Sequence, residues 1–318
     1  MAERAVEIVC DDGVRLGGHL WSAQGQSLGS VIVNCATGVL ARYYHRYACY
    51  LSEQGFDVLT YDFRGIGASR PPWLRGCNYR WHDWGELDFD AALRFMRSQA
   101  PGSRMLVVGH SFGGFLPGLA EGASSIDRML TVGAQYAYWP DYTRHRRARL
   151  FLKWHLAMPI ITALCGYFPG RRLGWLEDLP AGVANQWSFR RSRIELAHPH
   201  HLHAAIRDRF ARVEAPILAV SAFDDEFATA QAIRRGLDYY SNAHRTVVRL
   251  GPVKLAGGPT GHFGLFHSSH ASGFWADTVA WLRDGSNPWL GNTLPPERPS
   301  TTQGYSAHSP TLVAGTRS

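Results

Sequence analysis

Cysteine is scarce in this chain: Cys10, Cys35, Cys49, Cys77 and Cys165 are an odd number scattered over 318 residues. They form neither an even disulfide framework nor the CxxC spacing of a zinc site, which excludes a disulfide-stapled scaffold and favours a reducing compartment. No uninterrupted apolar stretch reaches the roughly 20 residues needed to span a bilayer, so stable membrane insertion is not expected. The opening residues 1–7 lack the basic-then-apolar layout of a secretory leader, and the cysteine pattern leads to the expectation of a cytoplasmic protein. No internal repeat is visible, which excludes solenoid and propeller architectures.

What the chain does contain is ordinary for a globular protein. Hydrophobic residues make up 45% of it and aromatic residues 12%, enough that a packed core and not disorder is the default. The positive charge is concentrated. Residues 140–212 hold twelve Arg and one Lys against five acids, a net of +8, whereas the whole chain is formally +7 and its remainder therefore −1. The basic character belongs to one segment, not to the fold.

The chain is organised around residues 105–114, Met-Leu-Val-Val-Gly-His-Ser-Phe-Gly-Gly. Met105 to Val108 reads as a buried parallel strand, and Phe115 to Ala120 as part of a helix that begins at Phe112. A Gly-x-Ser-x-Gly between strand and helix is the layout of a nucleophile elbow. There the Ser sits exposed on a strained turn, and flanking glycines let the backbone close around it. Ser111 is the expected nucleophile.

Around this stretch the elements alternate. Ala5–Cys10 and Val14–Trp21, joined by Asp11-Asp12-Gly13, read as a hairpin. Strands follow at Ser30–Asn34, Phe56–Tyr61, Arg128–Gly133, Pro216–Ala222 and Thr246–Leu250, with helices at Arg42–Gln54, Trp81–Ser98, Ala228–Tyr240 and Ala271–Arg283. This order predicts an α/β fold, a mostly parallel central sheet flanked by helices. The alternation breaks over residues 138–205, where Trp139, Trp154, Trp175 and Trp187 and nine Arg lie. That segment is expected to be an inserted, mainly helical cap over the carboxyl edge of the sheet, where ligands bind in such folds. The core is then residues 1–137 and 206–284, and residues 285–318 read as a flexible tail.

A serine hydroxyl needs a base and an orienting acid. In this topology the acid follows a later strand and the His follows the last one. Asp224-Asp225 comes after the strand ending at Ala222. His262 sits between Gly261 and Phe263-Gly264, ahead of the final helix, with His267 and His270 as neighbouring alternatives. Asp225 is the expected acid, and Asp224 is expected to shape the turn. The oxyanion is expected to meet the amides of Phe112 and of Ala36, in the loop after the Ser30–Asn34 strand. His110, Thr37, Trp139, Trp154 and Trp187 are candidate substrate contacts.

The combination Asn34-Cys-Ala-Thr-Gly-Val39, Asp62-Phe-Arg-Gly-Ile-Gly-Ala-Ser69, Gly109-His-Ser-Phe-Gly113, Asp224-Asp225 and Gly261-His-Phe-Gly264 resembles the α/β-hydrolase superfamily. Within it, these motifs are similar to bacterial predicted hydrolases near the serine aminopeptidase and monoglyceride lipase-like group. The resemblance covers about residues 5–284 and departs from the commoner His-Gly of the oxyanion loop, which is Asn34-Cys35 here. It implies a Ser-His-Asp hydrolase without cofactor or metal, acting on a small acyl substrate: an ester, or an amide or thioester. It assigns the Asp62–Ser69 motif a structural role. An acyltransferase using the same three residues is the nearest alternative, and a non-catalytic binding protein on the same scaffold is another.

Two further constellations point to other partners. His198-Pro-His-His-Leu-His203 lacks carboxylate or Cys companions at metal-site spacing and reads as a polar loop. The runs Arg144–Arg149 and Arg190–Arg193 read as solvated basic faces, with no nucleic-acid fold to accompany them.

Overall fold

The computed structural model describes residues 3–252 and 259–296. The first hairpin pairs β1 (Glu3–Val9) with β2 (Arg15–Trp21), turning at Gly13 with φ 81°. Then come β3 (Ser30–Asn34), α1 (His45–Glu53), β4 (Asp57–Tyr61), α2 (Asp90–Gln99), β5 (Met105–His110), α3 (Phe112–Phe115) and β6 (Arg128–Val132). Between β6 and the next strand of the main sheet lie α4 (Arg147–Phe151), α5 (Met158–Cys165), β7 (Tyr167–Phe168), α6 (Gly170–Leu173), β8 (Leu179–Pro180), α7 (Ala181–Ser188) and α8 (His203–Ala211). The core resumes with β9 (Ile217–Ala222), α9 (Ala230–Leu237), β10 (Arg245–Leu250) and α10 (Ala276–Asp284).

Eight strands form the main sheet in the order β1-β2-β4-β3-β5-β6-β9-β10. Within it the β1–β2 and β2–β4 pairings are antiparallel, and β4, β3, β5, β6, β9 and β10 pair in parallel; β7 and β8 form a separate antiparallel pair. Every residue of β3, β5 and β9 is buried, as expected of central strands covered by helices on both faces. β3 and β5 lie side by side in the middle, so the loops after them meet at one edge. The order reverses there, and that edge is where sheets of this class bind ligands.

The Asp62–Ser69 motif holds the hairpin end of the sheet together. Asp62 accepts from the amides of Ala41 at 2.7 Å and Ala68 at 2.8 Å. Arg64, 1% exposed, spans Asp88 at 2.5 Å and Asp12 at 2.6 Å, which satisfies the buried guanidinium and ties the first turn to the π-helical turn just before α2.

Three features differ from expectation. The helix after the elbow is brief: α3 passes into a 3-10 turn at Leu116–Leu119, because Pro117 has no N–H to continue an α-helix. Helix Trp81–Ser98 opens only at Trp84, with a π-helical turn, because the Trp81 amide and indole are both bonded elsewhere. The stretch after Gly285 does not detach at once. Trp289 is buried against Phe274, ring centroids 5.4 Å apart, and Leu294 donates its amide to Val247 of β10. The rest of the expected tail, residues 297–318, lies outside the described residues.

α4 and α5 join through a π-helical stretch, Leu152–Ala157, into one helix, Arg147–Cys165. By length and composition it is the one described helix that could cross a membrane. The sequence expectation missed it because Arg147, Arg149, Lys153 and His155 interrupt the apolar residues. Leu150, Trp154 and Met158 face inward, while Leu152, Leu156, Ile160 and Leu164 are exposed.

Candidate active site

Ser111 follows β5 directly and takes φ 56°, ψ −128°. A residue with a Cβ at positive φ costs of order 1–2 kcal/mol, and the surroundings enforce it. Its amide donates to the Val132 carbonyl at 2.9 Å, pinning the turn to β6. The glycines leave no room for side chains. A Cβ on Gly109 would stand 2.3 Å from the Gly114 Cα, and one on Gly113 2.3 Å from the Cys35 carbonyl oxygen. Strand, turn and the loop after β3 therefore pack backbone to backbone around Ser111.

β9 delivers the two aspartates and the segment after β10 delivers His262. His262 Nδ1 lies 2.8 Å from Asp225 Oδ2, with both side chains buried. The other oxygen, Asp225 Oδ1, accepts from the amides of Phe227 and Ala228, each at 2.9 Å. Burial pushes the Asp225 carboxyl up, but the His262 imidazole and these hydrogen bonds outweigh it, and its pKa ends below the ordinary value. An ionised carboxylate only accepts, so Nδ1 of His262 carries the proton and Nε2 is left as an acceptor. Asp224 faces the other way, its Oδ2 accepting from the amide of Thr260 at 2.8 Å. Gly133, at φ 58°, makes space for the pair: a Cβ there would sit 3.0 Å from Asp225 Oδ2 and 3.1 Å from the His262 ring. The alternatives His267 and His270 do not line the cavity that holds Ser111 and His262.

His110 was expected at the substrate, and it lies beneath the site instead. It is fully buried, with Nε2 2.8 Å from the main-chain carbonyl of His262 and Nδ1 2.6 Å from the Tyr44 hydroxyl. A carbonyl only accepts, so Nε2 donates and Nδ1 accepts from Tyr44. Tyr44 in turn accepts the Ala36 amide at 3.0 Å. Burial, and then the neighbouring His262, lower the His110 pKa to about 3, so the ring is neutral. The Ala36 N–H is thus already held by a phenol oxygen. The Phe112 amide comes from a helix of only four residues, so it acts as a single N–H donor without a sizeable helix dipole behind it.

A cavity of about 240 Å³ opens over these groups. Its wall includes Ser111, Phe112, Ala36, Thr37 and His262, with Trp154 and Trp187 among its aromatics. Trp139 is not part of the wall; it packs on Phe151 with ring centroids 4.8 Å apart. The sequence reading missed Trp81, which stacks on Phe112 at 3.9 Å and donates its indole N–H to Thr37 Oγ1 at 2.9 Å. From Trp81 the stacking continues to Trp187 at 5.8 Å and on to Trp154 at 4.6 Å. An aromatic wall therefore runs from the elbow into residues 138–205.

The His198–His203 run brings no set of ligand atoms together: His203 Nε2 bonds the His198 carbonyl, and His198 packs on His82. Among the described residues, the ligand atoms that do converge belong to Glu3, His19 and His45, within 4.8 Å of one another. None of these three lines the cavity.

The sheet order, with a strained Ser elbow at its central carboxyl edge, is that of an α/β-hydrolase. The chain belongs to the serine aminopeptidase, S33, family, whose pattern matches residues 26–250. It is similar to the monoglyceride lipase of Saccharomyces cerevisiae, 26% identical over 106 residues, which are 32% of this chain and 34% of that one. The match thus spans about a third of that relative's length. Among solved structures it is similar to a soluble variant of the same lipase in complex with a substrate analog, with TM-score 0.62 and 16% identity over 90% of this chain and 96% of that one. An esterase of Pyrococcus furiosus aligns with TM-score 0.55 and 17% identity over 89% and 91% of the two chains.

Proposed function

We propose that this protein is a serine hydrolase that cleaves a carboxylic ester through an acyl-enzyme. The observation that carries the reading is the Asp225–His262 hydrogen bond at 2.8 Å in the wall of the cavity that also holds the strained Ser111. Asp225 keeps the imidazole in the tautomer that leaves Nε2 free. His262 takes the Ser111 proton as Oγ attacks the carbonyl carbon, then returns it to the leaving alcohol. Water, activated by the same imidazole, releases the acid.

The developing oxyanion is held by the amides of Phe112 and Ala36. In the free enzyme the Ala36 N–H rests on the Tyr44 hydroxyl. An oxyanion is a stronger acceptor than a neutral phenol by about twofold, so it draws that N–H as the tetrahedral state forms. Residues 138–205 act as a cap that receives the acyl portion, a reading supported by Trp154 and Trp187 in the cavity wall.

The test is labelling with a fluorophosphonate, followed by peptide mapping and hydrolysis of p-nitrophenyl esters. The expected outcome is a single adduct on Ser111 and loss of turnover in Ser111→Ala. Turnover that survives Ser111→Ala, or an adduct on another serine, would overturn the reading.

A further inference from the structure

The cavity wall is apolar but not neutral. Arg149, Leu150, Lys153 and Trp154 from the helix Arg147–Cys165, and Arg146 from the turn just before it, line it together. Three of them are cations. Among the described lining residues Glu226 is the only carboxylate, and it pairs with Arg146 at 3.2 Å. Among the described residues no carboxylate comes within ion-pair distance of Arg149 or Lys153. Lys153 is held where it is by aromatic faces: its Nζ lies 4.4 Å from the ring centroid of Trp154 and 4.4 Å from that of Trp175. Burial and the charge of Arg149 lower its pKa, and the attraction of Glu226 offsets them only in part.

A fourth cation stands behind the wall. Arg190 is 6% exposed, with its guanidinium 4.7 Å over the Trp81 ring and 5.9 Å over that of Phe112. Among the described residues its Nε has no hydrogen-bond partner. A buried guanidinium with no carboxylate paired to it among the described residues costs free energy and leaves a positive field. That field falls across the same aromatic wall.

We infer that the cavity selects an ester or thioester carrying a negative charge, a carboxylate or phosphate set apart from the scissile carbonyl by a short apolar portion, and that Lys153 and Arg149 receive it. The inference rests on the proposed hydrolase reading for the scissile bond, and not for the charge. Apolar indoles take the hydrocarbon between carbonyl and anion, and the two unpaired cations take its far end. At about 240 Å³ the cavity admits a small molecule, not a nucleic-acid duplex or a bilayer surface. The anion can sit on the acyl side or on the leaving group, two sources with the same chemistry.

Two measurements on the full chain test this. The first is binding to Ser111→Ala protein, followed by tryptophan fluorescence, of octanoate and of octanol. Octanoate is expected to bind about tenfold more tightly at low salt, the order of one charge-assisted hydrogen bond. The preference should shrink at high salt and fall toward parity in Lys153→Met and in Arg149→Met, while Lys153→Arg retains it. Equal binding, or a preference that neither the Met variants nor salt alters, would overturn the inference, and the salt arm needs no variant to fold.

The second is kcat/KM on the active protein for p-nitrophenyl butyrate, mono-p-nitrophenyl glutarate and para-butyryloxybenzoate. The glutarate places the charge on the acyl side and the benzoate places it on the leaving group, so whichever exceeds its neutral counterpart locates the anion. Hydrolysis of all three without discrimination sinks the charge selection alone. Failure to hydrolyse any of them while octanoate is still preferred sinks the hydrolase reading alone.

Discussion

The imidazole of His110 donates to the main-chain carbonyl of His262 at 2.8 Å. The residue before the candidate nucleophile thus grips the backbone of the candidate base, across 152 positions of sequence. Two loops that must agree to a fraction of an ångström are joined by one rigid ring. Tyr44 fixes that ring from its other side and reaches the loop after β3 through the Ala36 amide.

Removing this link is expected to act on turnover. His110→Ala should lower kcat by about 10- to 100-fold with a much smaller change in KM, because misplacing a catalytic group by about 1 Å costs about that much. A purely structural role would lower thermal stability and leave kcat per folded molecule intact. Steady-state kinetics alongside circular dichroism separates the two outcomes.

The two neighbouring carboxylates should part company. Asp225→Asn is expected to preserve the fold and reduce kcat by about 10⁴-fold, by leaving His262 in the wrong tautomer. Asp224→Asn keeps an oxygen for the Thr260 amide and should cost less than about tenfold, with at most about 1 kcal/mol of stability. Equal kinetic losses in both variants would show that Asp225 has no separate role.

Gly133→Ala probes the space behind the pair. The new methyl would stand 3.0 Å from Asp225 Oδ2 at a residue with φ 58°. The backbone strain alone is worth about 1–2 kcal/mol. Activity should fall further than that loss of stability accounts for, since the methyl presses on the His262 ring as well. Wild-type kcat in a variant of lower melting temperature would contradict this.

Acid should destabilise the protein early. Burial, and then the neighbouring imidazoles, lower His110 and His82 to about 3. In the unfolded chain each titrates near ~6.5. Between these values the unfolded state binds more protons, so the stability both rings contribute is whole above about 6.5 and drains as pH falls, by up to ~1.4 kcal/mol per pH unit for each. Asp225, lowered in the fold, adds to the loss in the more acidic range. Urea midpoints measured from about pH 7 to about pH 4 should decline steadily, and His110→Gln should flatten the slope. A midpoint constant over that range would refute the account.

The sequence by itself determined what local chemistry dictates. Unbroken apolar runs become the buried strands β3, β5 and β9 because only strands covered on both faces tolerate them. The glycines at 109, 113 and 114 announce the elbow because a Cβ at any of them would strike backbone or a packed neighbour. Boundaries were less legible where a side chain's distant partner set them: Trp81 stays off its helix to reach Thr37 and Gln186, and Trp289 packs on Phe274 instead of trailing into a tail. The tertiary structure alone decided which side chains meet. Nothing near His110 in the sequence says that its ring will hold His262, nor that Tyr44 will hold Ala36, nor that three cations will share a cavity with one carboxylate. Periodicity records which face of an element is buried, whereas such pairings depend on the crossing of elements far apart in the chain, and only the packed core brings those together.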